Sequence, residues 1–452
     1  MSGPDLQAVV VGAGAAGLAA ALELRSRGHE VLLLDAGDRP GGVMRSDREC
    51  GFLFERGPNT MMVKGPALVF LQRHGLEAAL QPASPAARNR YLFHDGELTP
   101  VPMNPFAFAA SPLLTGGGKL RLLSEPFVGR GDGGGESVAE FVGRRLGPEA
   151  VERLVGPFLI GIYAGDERRL GAEAVFPSLV EMERESGSIV RGALARMIRP
   201  RGERGLRGSY SSPEGLGGLA GHMARGLGEA LQLGTRVASI RRSGGSWIVG
   251  IESDGAGREI RTEALVLATD AASAAALLRG LDPEAAAALD AIEYAPVASV
   301  PLSIDPRDSR HPIEGFGFLV PRAAGLDLLG ALFMSRMYPQ RAPEGRELVM
   351  GLIGGARWPA VVDAADDQIL ERIHRGLDRA LGLRTAPQAL AITRWPRAVP
   401  QPGPHHGRLV RVLRARLARQ PGLALAGAYL EGVSVADTLA AGVRAAGEIA
   451  RL

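Results

Sequence analysis

Three glycines in six residues, Gly12-Ala-Gly14-Ala-Ala-Gly17, stand between an apolar run at 7–12 and an apolar pattern of helical spacing at 17–27. Gly12 gives the chain the freedom to turn sharply from strand into helix. Gly14 lets a pyrophosphate approach the backbone, and Gly17 lets the helix pack closely on the strand. The first turn of such a helix has free N–H groups and the positive end of the helix dipole, which together suit an anion. A second apolar run, Glu30-Val-Leu-Leu-Leu-Asp35, completes a βαβ pattern. Asp35 ends that run, where a carboxylate accepts hydrogen bonds from ribose hydroxyls. The unit predicts a dinucleotide site without choosing between FAD and NAD.

The 452 residues exceed one ordinary core, so two or three structural units are expected. Hydrophobic residues at 46% and charged residues at 22% describe a globular chain. Lys64 and Lys119 are the only lysines, and the formal charge is +3, a spread of arginine that predicts no nucleic-acid partner. Cys50 stands alone, which excludes an intrachain disulfide and a cysteine metal cluster and fits a reducing, cytoplasmic location. No secretory leader or membrane-spanning run is expected. No Ser/His/Asp or metal-ligating constellation stands out, and His405-His406 reads as a solvated loop pair.

Alanine-rich segments at 137–155, 216–232 and 271–292 read as helices, and 245–251, 263–268, 316–320 and 348–353 as strands. Between 85 and 214 the chain is broken by Pro, Gly and Arg. An α/β protein with insertions follows.

Arg39-Pro-Gly41-Gly42-Val-Met-Arg45 and Gly57-Pro-Asn-Thr60 follow the second strand, with Thr235-Arg-Val237, Ala264-Leu-Val-Leu-Ala-Thr269 and Glu431-Gly432-Val433-Ser434-Val435-Ala-Asp437 further along. These resemble the flavin-binding signatures of the amine oxidase superfamily. Gly161-Ile-Tyr-Ala-Gly-Asp166, Phe176-Pro177, Gly315-Phe-Gly-Phe-Leu-Val-Pro321, Arg394-Trp-Pro396 and Pro400-Gln401 are similar to signatures of the protoporphyrinogen/coproporphyrinogen III oxidase family. The resemblance runs from residue 8 to about 448.

The resemblance implies a Rossmann-like FAD-binding domain from 1–84, 215–290 and 400–452. It adds a mainly helical membrane-associating insertion at 85–214 and a sheet-containing substrate domain at 291–399. FAD is expected to be held non-covalently by Gly12, Ala13, Gly14, Ala15, Ala16 and Gly17, and by Asp35 and Ala36. Arg39, Gly41, Gly42 and Val43 add a second loop, Gly57, Pro58, Asn59 and Thr60 a third, and Val237, Val433, Ser434 and Val435 complete the set. A porphyrinogen is a nonpolar macrocycle with carboxylate arms, so it needs apolar walls and few charged anchors. The resemblance makes Arg90 the propionate anchor, and Phe316, Phe318 and Leu319 candidates for the wall.

The implied reaction is oxygen-linked oxidation of protoporphyrinogen IX to protoporphyrin IX in haem biosynthesis, with three hydrogen peroxide released. Oxidation of coproporphyrinogen III to coproporphyrin III, flavin amine oxidation and a non-catalytic porphyrin carrier remain open. Hand-over to ferrochelatase and peripheral contact at the cytoplasmic face of a membrane are further implied partners. The apolar segment Pro105–Leu114 is the candidate for that contact, with a buried helix or channel wall as the competing reading. Three residues depart from the family: Pro402 where tyrosine is usual, and Ala436 and Thr438 in Ala436-Asp437-Thr438 where Asn-Asp-Cys is usual.

Overall fold

The computed structural model describes residues 6–102, 110–131, 134–198, 205–253 and 255–450. Among them, two large sheets organise the chain. In the first, the strand Leu6–Val11 lies between Val31–Leu34 and the end of the long strand Ala256–Leu267, parallel to both. Leu423–Leu425 adds a further parallel strand. Ala8, Val9, Val10, Leu33, Leu34 and Val266 are all buried, the near-continuous burial that a parallel sheet covered on both faces requires. The fingerprint helix Ala15–Ser26 and the C-terminal helix Val435–Ile449 cover one face. The helices Ala271–Leu278 and Pro283–Asp290 cover the other. This is the α/β arrangement of a Rossmann-like sheet.

The two helices of the first face approach very closely. A side-chain carbon added to Gly442 would come within 2.1 Å of the Ala16 carbonyl oxygen. Residues more than four hundred positions apart therefore share one wall.

The second sheet is mixed. Tyr294–Ile304, Glu347–Gly354, Leu328–Phe333 and Gly317–Leu319 run antiparallel in that order, and Arg90–His94 pairs in parallel with Gly317–Leu319. The helix Asp366–Leu381 packs on one face through Ile369, Ile373 and Leu377. Residues 90–100, grouped from the sequence with the helical unit, instead form two strands of this sheet, because Tyr91 and Phe93 pack against its core. Alanine-rich 271–292 is two helices rather than one, broken at 279–282 where the Asp282 side chain caps the second. The segment 137–155 likewise ends its first helix at Leu146, before Gly147-Pro148.

Candidate active site

The glycine fingerprint and the loop after the second strand are built against each other. Gly41 N–H donates to the Ala13 carbonyl at 2.8 Å. Gly41 and Gly42 have φ of +105° and +58°, and a side-chain carbon on Gly42 would sit 3.2 Å from the Gly14 Cα. Both positions need glycine for conformation and for contact. Gly12 has φ of +99°, and Gly17 has no room for a side chain, since its added carbon would lie 1.7 Å from the Gly12 carbonyl oxygen. Gly14 is different: nothing lies within 4 Å of its added carbon. Space is left there beside a helix start that has no side-chain cap.

Asp35 uses its carboxylate to order the loop, accepting from Ala13 N–H at 2.5 Å and Gly37 N–H at 2.7 Å. Its oxygens keep further lone pairs for hydroxyl donors. The Thr235 N–H donates to the Asp35 carbonyl, which brings Val237 to this end of the sheet. Ala36 is exposed beside it. Arg39 donates to the Gly42 carbonyl at 3.0 Å, and burial draws its pKa below the usual arginine value. Arg45 pairs with Asp47 instead.

The loop Gly57–Thr60 is pressed onto the preceding one, because a carbon added to Gly57 would meet the Val43 carbonyl oxygen at 2.0 Å. Val43 itself is half exposed. The Arg56 carbonyl, one residue before this loop, accepts from Trp395 Nε1 and Ser299 Oγ, each at 2.8 Å. The motif residue Trp395 thus ties the loop to the second sheet. Asn59 Oδ1 is buried with no partner. Ser434 caps the C-terminal helix through Asp437 N–H, so the helix start at Val435 is fixed while Val433 packs against the cluster that holds Tyr163.

The second sheet carries the candidate substrate wall on the face away from its helix. Strand alternation sorts the three expected residues. Phe318 is 1% exposed, packed against Phe333 in the core beneath the helix Asp366–Leu381, so it is no part of the wall. Leu319 lies on the opposite face with Leu332 and Leu352, all three half-buried, and Phe316 lies just before the strand. Arg90 is in register with Gly317 and shares that face. Its guanidinium stands 4.7 Å over the Phe316 ring, a cation–π contact. Among the described residues it has no carboxylate partner, and desolvation lowers its pKa.

A facing wall was not foreseen from the sequence. The helix Gly156–Tyr163 exposes Phe158 and Ile162 on the face that also carries Gly161. A carbon added to Gly161 would be 3.1 Å from Leu319 Cδ1. Phe158 stacks on Phe176, with ring centroids 5.9 Å apart. The signal was present as large apolar residues three and four apart beside a glycine, but a buried helix shows the same pattern.

Other expectations resolve as follows. Pro402 is buried and its carbonyl accepts from Gly171 N–H at 2.8 Å. Thr438 hydroxyl donates to the Ser434 carbonyl at 2.9 Å. Tyr429 is buried in the core of the first sheet, so it lines no open aromatic cage. His406 is half-buried and the neighbouring backbone of Tyr429 and Leu430 contacts it, while His405 is exposed. Residues 105–109 of the expected membrane segment lie outside the described residues, and its described end is buried at Ser111, Leu113 and Leu114.

The model of the flavin containing amine oxidoreductase family matches residues 15–450. The chain is 31% identical to chloroplastic protoporphyrinogen oxidase of Nicotiana tabacum over 98% of its length and 85% of the relative's. It is 32% identical to chloroplastic protoporphyrinogen oxidase 1 of Arabidopsis thaliana, over 94% and 84%. The chain belongs to the porphyrinogen oxidase branch of this flavoprotein family. It is also 27% identical to coproporphyrinogen III oxidase of Bacillus subtilis (strain 168) over 97% of each chain. The crystal structure of a "Putative protoporphyrinogen oxidase" from Exiguobacterium sp. 255-15 aligns with a TM-score of 0.81, covering 99% of both chains at 25% identity.

A porphyrinogen oxidase of this family is an FAD-dependent oxidoreductase. The residues fit that cofactor: an open approach at Gly14, an uncapped helix start beside it, and the unpartnered acceptor Asn59 Oδ1.

Proposed function

We propose that the chain oxidises protoporphyrinogen IX to protoporphyrin IX, consuming three molecules of oxygen and releasing three of hydrogen peroxide. The observation that carries this reading is Arg90, a carboxylate-seeking cation stacked on Phe316 at the edge of an apolar face. An anchor of this kind suits a propionate of the macrocycle, and a substrate with extra carboxylates would favour extra basic groups on the rim. The relatives named protoporphyrinogen oxidase are also the more similar, at 31 and 32% against 27%. Buried Tyr429 removes the one evident aromatic partner for an amine substrate.

Bound FAD would supply the redox chemistry, as hydride acceptor for a methylene bridge and electron donor to oxygen. The residues of this chain orient the macrocycle and exclude water: Leu319, Leu332, Phe158 and Ile162 supply the apolar contacts, and Arg90 fixes one propionate. FAD is held by the three loops and two helix starts described above and stays non-covalent, since Thr438 offers no thiol and Cys50 is exposed on a turn of positive φ in the hairpin 46–55. Anaerobic reduction of bound flavin by protoporphyrinogen IX and by coproporphyrinogen III, measured side by side, tests the reading. Faster reduction by coproporphyrinogen III would overturn the substrate assignment, and reduction by neither would leave a carrier.

Among the described residues no helix is long and apolar enough to cross a membrane. Peripheral contact is assigned instead to Leu120, Leu123 and Phe127, which are 69, 75 and 85% exposed. Flotation with anionic vesicles tests it, and Phe127→Ser should weaken binding.

A further inference from the structure

The helix Gly156–Tyr163 ends in a turn that is held from several directions. Ala164 has φ of +45°, a left-handed conformation that a residue with a side chain adopts only when its surroundings enforce it. Its carbonyl accepts from Ala356 N–H at 2.8 Å, and this approach needs Gly355, whose added carbon would come within 2.6 Å of the same oxygen. Gln401 Nε2 donates to the Tyr163 carbonyl at 2.8 Å. Arg322, three residues after Leu319, donates to Asp166 at 2.7 Å.

Beneath these contacts lies a buried ion pair. Arg357 Nη2 is 2.5 Å from Glu167 Oε2, with side chains 2% and 5% exposed. Arg322 Nε makes a further contact, at 3.6 Å, to the other Glu167 oxygen. A carbon added to Gly156, at the other end of the helix, would lie 3.4 Å from Arg357 Nη2 and 3.6 Å from Glu167 Oε2. The pair therefore touches both the start of the helix and the turn that ends it. Arg357 Nε and Nη1 have no partner. A buried, incompletely satisfied arginine is a weak way to add stability, and an apolar pair of similar volume would serve as well or better. It is an effective way to fix position, because the buried charge-assisted bond from Arg357 Nη2 to the Glu167 carboxylate is short and strong.

We propose that Arg357 is a positioning residue for the porphyrinogen. Through Glu167 it sets the distance between the helix wall, Phe158 and Ile162, and the sheet wall at Leu319. This rests on the reading that the two walls hold the macrocycle. Gly161 packs directly against Leu319, so the two walls meet at that point, and a small shift of the helix changes how Phe158 and Ile162 stand relative to the sheet beyond it.

The test uses the flavin-loaded full chain. Arg357→Met leaves buried Glu167 with only the longer contact to Arg322, at 3.6 Å, and is expected to lower stability. The informative variant is the double substitution Arg357→Met with Glu167→Leu, which removes both charges. It should recover the wild-type unfolding midpoint and flavin content, yet raise KM for protoporphyrinogen IX on the order of tenfold with kcat within about twofold. Binding of the product protoporphyrin IX, read by quenching of tryptophan fluorescence, should weaken by the same factor. Wild-type KM and porphyrin affinity in the folded double variant overturn the proposal. Should the double variant not fold, Arg357→Lys decides: it keeps the charge but replaces the planar guanidinium with an ammonium on a flexible stem, and an unchanged KM is equally fatal. Wild-type protein that neither oxidises nor binds a porphyrin sinks the underlying reading instead, and that result is visible before any variant is made.

Discussion

Substitutions at Gly14 and Gly17 should separate two roles of the glycine fingerprint. A carbon on Gly17 would lie 1.7 Å from the Gly12 carbonyl oxygen, inside the fold and clear of any ligand. Gly17→Ala must push the fingerprint helix off its strand, and overpacking of this kind costs about 1–3 kcal/mol, here at the upper end because the obstacle is backbone. Gly14 has φ of −73°, which any residue adopts, and its added carbon meets nothing. Gly14→Val therefore costs the cofactor-free fold about 1 kcal/mol, the loss of a good cap. Its effect falls on FAD. Blocking the approach forfeits charge-assisted bonds from the helix N–H groups to phosphate, each worth about 1.5–3 kcal/mol. Two such bonds correspond to roughly 10²- to 10⁴-fold in Kd. Flavin absorbance per mole of purified protein and urea unfolding of the flavin-stripped proteins measure the two effects separately. Full flavin content in Gly14→Val, or a stability loss in that variant equal to that of Gly17→Ala, would refute the reasoning.

Arg90→Ala should raise KM for protoporphyrinogen IX by about 10- to 100-fold, the worth of one hydrogen bond to a charged group, with flavin content unchanged; steady-state porphyrin fluorescence checks it. Phe318→Ala should lower stability by about 3–5 kcal/mol in denaturant unfolding, as for a deleted core aromatic. Leu319→Ala should act more on KM than on stability, because Leu319 is half-buried on the opposite face. Burial lowers the His406 pKa from its ordinary value of 6.5, against the raising effect of the Leu430 and Tyr429 backbone. A histidine whose folded pKa is depressed contributes stability that is complete above the unfolded value and is lost as pH falls through and below about 6.5. Unfolding free energy measured across that window should fall toward acid, and His406→Gln should flatten the slope.

The first sheet was legible because each of its signals is local: apolar runs, glycines with separate steric duties, and an acid at a strand end. Asp35 illustrates the limit of such reading, since its carboxylate also holds the Ala13 and Gly37 amides, a use that spacing alone does not reveal. The second sheet was harder. Residues 90–94 pair with 317–319 across more than two hundred positions, and no periodicity announces a parallel partner so far away. Phe316, Phe318 and Leu319 were seen together as apolar, yet the face each occupies depends on where the helix Asp366–Leu381 lands. Arg357 gave no signal among so many arginines. Its role depends on a carboxylate from another segment and on the helix above them both.

The crossing of Ala16 and Gly442 has a consequence for the order of events in a cell. The fingerprint leaves the ribosome more than four hundred residues before the helix that walls it. At about 5–20 residues per second, roughly 20–80 seconds separate the two. Until then the apolar flank of the fingerprint helix lacks its cover, and FAD can settle fully only after that second helix has emerged. Flavin loading thus waits for that helix, and until it emerges the nascent chain carries an unfinished nucleotide fold for chaperones to shelter.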